Sequence, residues 1–194
     1  MRRVIPAAET ALKAVSHAAC IVGGWLVILL SVGICVEVVL RKAFSQSLQG
    51  IDEYGGYALA VTASLGMAYC FYEHAHIKID LVVRKLPKRF ARVLSVIAIV
   101  ALGIVVGMLA LEAFSLSEES YMFGAFSNTP LRTPIYYPQA IWALGFGLFV
   151  LAIVLRLLHI MQSLLLNDSA ATGELLGESG TVEGTKPTPM QGIE

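Results

Sequence analysis

Charge is what this chain has least of. Only 14% of its 194 residues are Asp, Glu, Lys or Arg, against 57% that are hydrophobic, and mean hydropathy is +0.73. Soluble domains carry roughly a quarter charged residues, so a water-exposed globule is excluded as the main architecture. Cysteine is scarce too. Cys20, Cys35 and Cys70 all lie inside apolar runs, at spacings that fit neither a metal site nor a disulfide framework. They read as small packing residues. No Walker loop, no zinc-ligand spacing and no nucleophile beside a base occurs in the sequence. An enzymatic role therefore has no residue-level support.

What the chain has instead is apolar runs long enough to cross a bilayer as helices. The sequence predicts an all-α membrane protein with four transmembrane helices, over about residues 18–40, 54–72, 91–114 and 135–158. Each run is at least twice a barrel strand's length and lacks its alternation. In lipid only a helix then satisfies the backbone. The first run begins late, is too long for a signal-peptide core and ends on Glu37, Arg41 and Lys42, so it is expected to stay uncleaved. Residues 5–17 are weakly amphipathic and predict a short helix on the inner membrane surface. From residue 167 the chain turns to Gly, Thr, Ser, Glu and Pro. The expected division is a membrane domain over 1–166 and a disordered cytoplasmic tail over 167–194.

Orientation follows from where the few cations stand. Arg2, Arg3 and Lys13 precede the first run, and Lys78, Arg84, Lys85, Lys88, Arg89 and Arg92 follow the second. The opposite side holds only Arg41, Lys42 and Arg132. The positive-inside rule places both termini and the central loop in the cytoplasm. Arg156, late in the fourth run, agrees with that placement. Tyr136, Tyr137 and Trp142 fit an interfacial belt at the outer end of the fourth run.

The segment 52–80 is the one with specific polar ends. Asp52 and Glu53 open its apolar run, and His74-Ala75-His76-Ile77-Lys78-Ile79-Asp80 closes it. Carboxylates at a helix start complement the dipole and cap free N–H groups. Two in succession, facing Arg41, also suggest a contact between helices or subunits. Glu37 precedes Arg41 by one turn, the favourable order for a pair. Arg41 either ends its helix in that pair or reaches across to Asp52 or Glu53. Gly56, Ala60 and Ala63 form a small-residue face, and Gly103 with Gly107 makes a G-x-x-x-G pair. Four histidines raise a haem or quinone-linked membrane anchor of a respiratory enzyme as the alternative. His17, His74, His76 and His159 all map near helix ends, and His74 and His76 do not share a helix face. No cofactor is expected.

Arg41, the pair Asp52-Glu53, Gly66, the run His76-Ile77-Lys78-Ile79-Asp80 and Thr129-Pro130 together resemble the DctQ-like small membrane subunit of the tripartite ATP-independent periplasmic (TRAP) transporters. The His76–Asp80 run is the most specific element, and the resemblance covers about residues 15–165. The chain departs from the family at Gly50-Ile51, where a Trp often stands, and at Tyr72-Glu73-His74, where Arg residues are common. The resemblance implies a bacterial inner-membrane protein that carries no substrate site. It would scaffold a large permease subunit for sodium-driven uptake of an organic acid, which a periplasmic binding protein delivers. Glu37, Arg41, Asp52, Glu53, Gly66, His76 and Asp80 are then the candidate interface residues.

Overall fold

A computed structural model describes residues 4–47, 50–73 and 87–166, with 172, 173, 175 and 176 of the C-terminal stretch. Within them the chain is helical: α1 Val4–Phe44, α2 Ile51–Tyr72, α3 Lys88–Met122 and α4 Tyr136–Leu165. Among the described residues the only extended pairing is an isolated bridge between Phe126 and Pro134.

Three stretches, Ile5–Phe44, Phe90–Met122 and Tyr136–Leu165, are long and apolar enough to cross a membrane. The fourth helix expected to cross, α2, does not join them on length and composition. It spends its 22 residues on Tyr54, Tyr57, Thr62, Ser64, Tyr69 and Tyr72 as well as on aliphatics. Tyr54 is exposed, but the others find partners inside the fold: Tyr57 donates to Glu53, Tyr69 meets His17 and Tyr72 lies under the Arg156 guanidinium. Ser64 donates to the Val61 carbonyl at 3.0 Å, and Thr62 donates to the Gly23 carbonyl at 3.2 Å.

The helices run further than apolarity alone marks. The expected surface helix over 5–17 does not exist as a separate element, because α1 is one continuous helix of 41 residues. Its first turns are drawn onto the other helices by three side chains: Glu9 meets Arg156 and His159, Lys13 meets Glu73, and His17 meets Tyr69. Of these contacts only those of Glu9 with Arg156 and His159 are buried, and with its carboxylate committed to α4 the segment follows the bundle rather than the lipid surface. At its far end α3 continues past residue 114 through Glu118 and Glu119 to Met122, since nothing there breaks a helix. Pro138 stands in the first turn of α4, where its missing N–H costs no hydrogen bond.

α4 is the hub. It packs against α1, α2 and α3, while α1 otherwise packs on α2. Accordingly 39% of the most apolar stretch of α4 is buried, against 6% for α1 and 11% for α3, which therefore turn their Ile, Val and Leu side chains outward. The core lies where α2, α3 and α4 meet, around Ala68, Phe71, Val106, Ala110, Phe146, Phe149 and Ile153. Small residues bring the axes together. A Cβ on Gly145 would stand 2.7 Å from the Cβ of Ser64, and one on Gly103 would stand 3.1 Å from Ile153 Cγ2.

Candidate functional site

The candidate residues fall at one end of the molecule, where the α1–α2 turn meets the α3–α4 loop. The α1–α2 turn depends on Gly50, whose φ of 98° lies in the left-handed region open to glycine. Above it sits the side chain of Leu131, so closely that a Cβ on Gly50 would collide with it. The α3–α4 loop is folded on itself: the Ser127 N–H donates to the Thr133 carbonyl at 2.9 Å and the Ile135 N–H to the Ala125 carbonyl at 3.1 Å. Arg132, at φ 48°, closes a tight turn onto the Thr129 carbonyl at 3.1 Å. Thr129 is thereby presented to α2.

Glu53 is the residue that joins the two loops. It is buried, and it accepts hydrogen bonds from the Thr129 hydroxyl and from the Tyr57 hydroxyl, the latter at 2.7 Å. Ser127 lies 3.0 Å from the Thr129 hydroxyl and completes the cluster. Glu53 stands just outside the apolar stretch of α2. Donation from Thr129 chiefly, against the opposing effect of burial, holds its carboxyl below the ordinary carboxylate range, with Tyr57, Thr133 and Ser127 adding to it. The acidic pair is thus divided: Glu53 turns inward as a tether, while Asp52 is exposed.

Glu37 and Arg41 do form the expected one-turn pair, with the guanidinium Nη2 2.7 Å from the carboxylate and Nε at 3.2 Å. Ser47 donates to the same oxygen at 2.7 Å, which folds the end of α1 back on itself. Arg41 stays with Glu37 rather than reaching across to Asp52 or Glu53, so it does not make the clamp between α1 and α2 expected of it; Glu53 instead ties α2 to the α3–α4 loop through Thr129. Glu37 is 3% exposed in its side chain and Arg41 63%, so the cation is the face this pair shows outward. Gly66 opens on empty space, with nothing within 4 Å of where a Cβ would stand. His76 and Asp80 lie outside the described residues, as does His74.

A second polar cluster, at the opposite end, was not singled out from sequence. Glu9 of α1 is 2.5 Å from Arg156 Nε and 2.5 Å from His159 Nδ1, both on α4. The Arg156 guanidinium also sits 5.4 Å from the Tyr72 ring centre and 5.9 Å from that of Phe71, and it donates to the Leu175 carbonyl at 3.0 Å. Thr172, within the stretch expected to be disordered, is buried and lies 2.8 Å from the Ser163 hydroxyl. The available signal was the pairing of an acid in one helical stretch with an Arg and a His one turn apart in another. His17 meanwhile stacks on Tyr69 with ring centres 5.0 Å apart. Among the described residues no group of three His, Cys, Asp or Glu could hold a metal ion. The first cluster ties α2 to the α3–α4 loop, and the second ties α1 to α4.

The model of the DctQ component of tripartite ATP-independent periplasmic transporters matches residues 30–163. No curated protein is similar enough in sequence to match the chain. The matched stretch includes Glu37, Arg41, Asp52-Glu53, the His76–Asp80 run and the loop that carries Thr129. It covers well over half of the sequence, and the chain belongs to the DctQ family of TRAP transporter membrane components.

Proposed function

We propose that this chain is the non-catalytic small subunit of a TRAP importer, a scaffold that holds a large permease subunit in place during sodium-driven uptake of an organic acid. A periplasmic binding protein would deliver that substrate. The observation that carries the reading is the family match over residues 30–163, joined to where the charges stand. The ionic contacts of the described helices gather at two ends, Glu37, Arg41 and Glu53 at one and Glu9, Lys13, Glu73 and Arg156 at the other. A transport pathway needs polar groups or broken helices at mid-membrane. Here the middle of each helix carries no charged residue.

Four crossings, with both termini and the 73–87 connection cytoplasmic, fit this role. α2 runs beside α1 over its whole length: Ile51 touches Gly33, Leu30 touches Gly55, Thr62 touches Gly23, Tyr69 touches His17 and Glu73 pairs with Lys13. A helix that shares every level of a membrane-crossing neighbour shares its crossing. At 1.5 Å per residue, α2 spans about 33 Å, the thickness of a bilayer core. Residues 1–166 are the membrane domain in this reading and 167–194 a cytoplasmic tail. On α2, the exposed side bearing Asp52, Gly56 and Ala63 is our candidate seat for a permease helix, since small residues allow close approach. Arg41, exposed near the outer end of α1, offers a charge to the same partner. His76 and Asp80 would act at the cytoplasmic border.

Co-expression with the large subunit tests this. The two should co-purify, and loss of this chain should abolish uptake. Absence of co-purification together with uptake unaffected by deletion would sink the proposal. Arg41→Ala or Asp52→Ala should weaken assembly more than it alters substrate selectivity.

A further inference from the structure

The end of the molecule bearing Lys13 and Glu73 carries a groove of about 330 Å³ between α1 and α2, lined by Thr10, Lys13, Ala14, His17, Tyr69 and Glu73. Neither the polar cluster around Arg156 nor the candidate interface uses it. Its level in the bilayer follows from helix geometry. Asp52 to Glu73 is 21 steps along α2 and its cap, about 32 Å at 1.5 Å per residue, so Glu73 lies one hydrocarbon thickness from the outer carboxylate. The groove therefore opens at the depth of lipid headgroups.

Its chemistry has both signs. Lys13 Nζ stands 2.8 Å from Glu73 Oε1, with the two side chains 48% and 43% exposed. Half-exposed pairs of this kind contribute little and open readily. Lys13 and the N–H of His17, one turn apart on α1, are donors suited to a phosphate. Glu73 and the Thr10 oxygen, whose own proton is given to the Pro6 carbonyl at 2.9 Å, are acceptors suited to a primary ammonium.

Below the groove the same helix line continues as an apolar track. Residues 10, 13/14 and 17 extend by helical spacing to Ile21, Gly24 and Ile28. Ile21 and Ile28 are exposed, and nothing lies within 4 Å of where a Cβ on Gly24 would stand. Gly66, one turn before Tyr69 on α2, is open in the same way. Charges of both signs thus stand at the head of an exposed apolar face of α1 that includes Gly24. We propose that this groove binds a phospholipid with a phosphate and a primary ammonium in its headgroup, its phosphate on Lys13 and His17, its ammonium on Glu73 and Thr10, and an acyl chain along the exposed α1 face at Ile21, Gly24 and Ile28. The site requires α1 and α2 to cross the bilayer; it does not require the permease contact.

Native mass spectrometry of the delipidated full chain tests it, with four probes: dioleoyl phosphatidylethanolamine, the phosphatidylcholine with the same chains, the matching phosphatidylglycerol, and O-phosphoethanolamine. Phosphatidylethanolamine should bind about tenfold more tightly than phosphatidylcholine, whose methylated nitrogen cannot donate a hydrogen bond. Glu73→Gln should remove that preference, and Lys13→Ala should weaken both lipids. Lys13→Arg, which keeps the charge, should bind normally and controls for folding. Equal binding of the ethanolamine and choline lipids overturns the proposal, as does tighter binding of phosphatidylglycerol. If O-phosphoethanolamine binds as tightly as the whole lipid, the acyl track is wrong and the proposal falls.

Discussion

At the scale of single residues, the acidic pair shows how one dipeptide does two jobs. Successive residues on a helix point about 100° apart, so Asp52 and Glu53 meet different surroundings. Glu53 takes the buried side and meets Thr129; Asp52 takes the exposed side. The consequence for pH has a definite sign. Glu53 has its carboxyl held below the ordinary value of 4.5 by the Thr129 hydroxyl first of all. A carboxylate depressed on folding adds stability above its unfolded pKa, and that stability is lost as pH falls through the folded pKa. Melting curves of the purified chain should thus separate wild type from Glu53→Gln at neutral pH and converge as pH falls through the folded pKa, below the ordinary 4.5. Thr129→Val should move that convergence upward. Parallel curves at every pH would refute the tether. The sequence made the pair legible as a unit and Thr129-Pro130 legible as a pattern. That the two meet was not legible, because 76 residues separate them and no local periodicity records the contact.

At the scale of helices, two kinds of contact decide the packing, and each gives a test. The first is the buried charge cluster that ties the start of α1 to α4. Removing one partner from such a pair strands the other and costs about 3–5 kcal/mol, whereas replacing both by apolar residues of similar volume costs far less. Glu9→Ala should therefore lower the melting temperature sharply, and the double change Glu9→Met with Arg156→Met should recover most of it. If the double variant is no better than Glu9→Ala, the cluster is not an isolated ion pair. The second is the close approach of α2 and α4 at Gly145. A side chain there would meet Ser64 Cβ at 2.7 Å and its backbone carbon at 2.9 Å, so Gly145→Val should cost about 1–3 kcal/mol by overpacking. Gly107→Ala, with open space around it, should cost nothing measurable. The G-x-x-x-G spacing had marked Gly103 and Gly107 alike, yet only Gly103 meets Ile153 of α4. Spacing identifies a face that can approach, and the partner's shape decides which glycine is used. The same limit hid the continuity of α1. Residues 5–17 are amphipathic too weakly to indicate a direction, and the contacts that fix them come from α2 and α4.

At the scale of the whole molecule, the question is how many times the chain crosses the membrane. Apolarity alone marks Ile5–Phe44, Phe90–Met122 and Tyr136–Leu165, and three crossings would put the termini on opposite sides. Packing argues for a fourth. α2 lies against α1 from Ile51 on Gly33 to Glu73 on Lys13, and it buries Glu53, Ser64, Phe71 and Tyr72 toward the other helices. A helix can carry more tyrosine and serine than lipid tolerates when those groups are spent on protein neighbours, as Thr62 is on the Gly23 carbonyl. Composition measured along the sequence cannot see that compensation, since it counts a buried hydroxyl and a lipid-facing one alike. Reporter fusions distinguish the two counts. With four crossings, a reporter fused after residue 80 reads cytoplasmic, one after residue 128 reads periplasmic, and one after residue 166 reads cytoplasmic again, with the N-terminus on the cytoplasmic side. With α2 outside the membrane, the reporters at 80 and 128 change sides and the termini separate. That result would remove the inner level assigned to Glu73 and dissolve the shared crossing of α1 and α2. The positive charge on Lys78, Arg84, Lys85, Lys88, Arg89 and Arg92 favours the first outcome, because three cations in the short connection and three more in the first turns of α3 resist export.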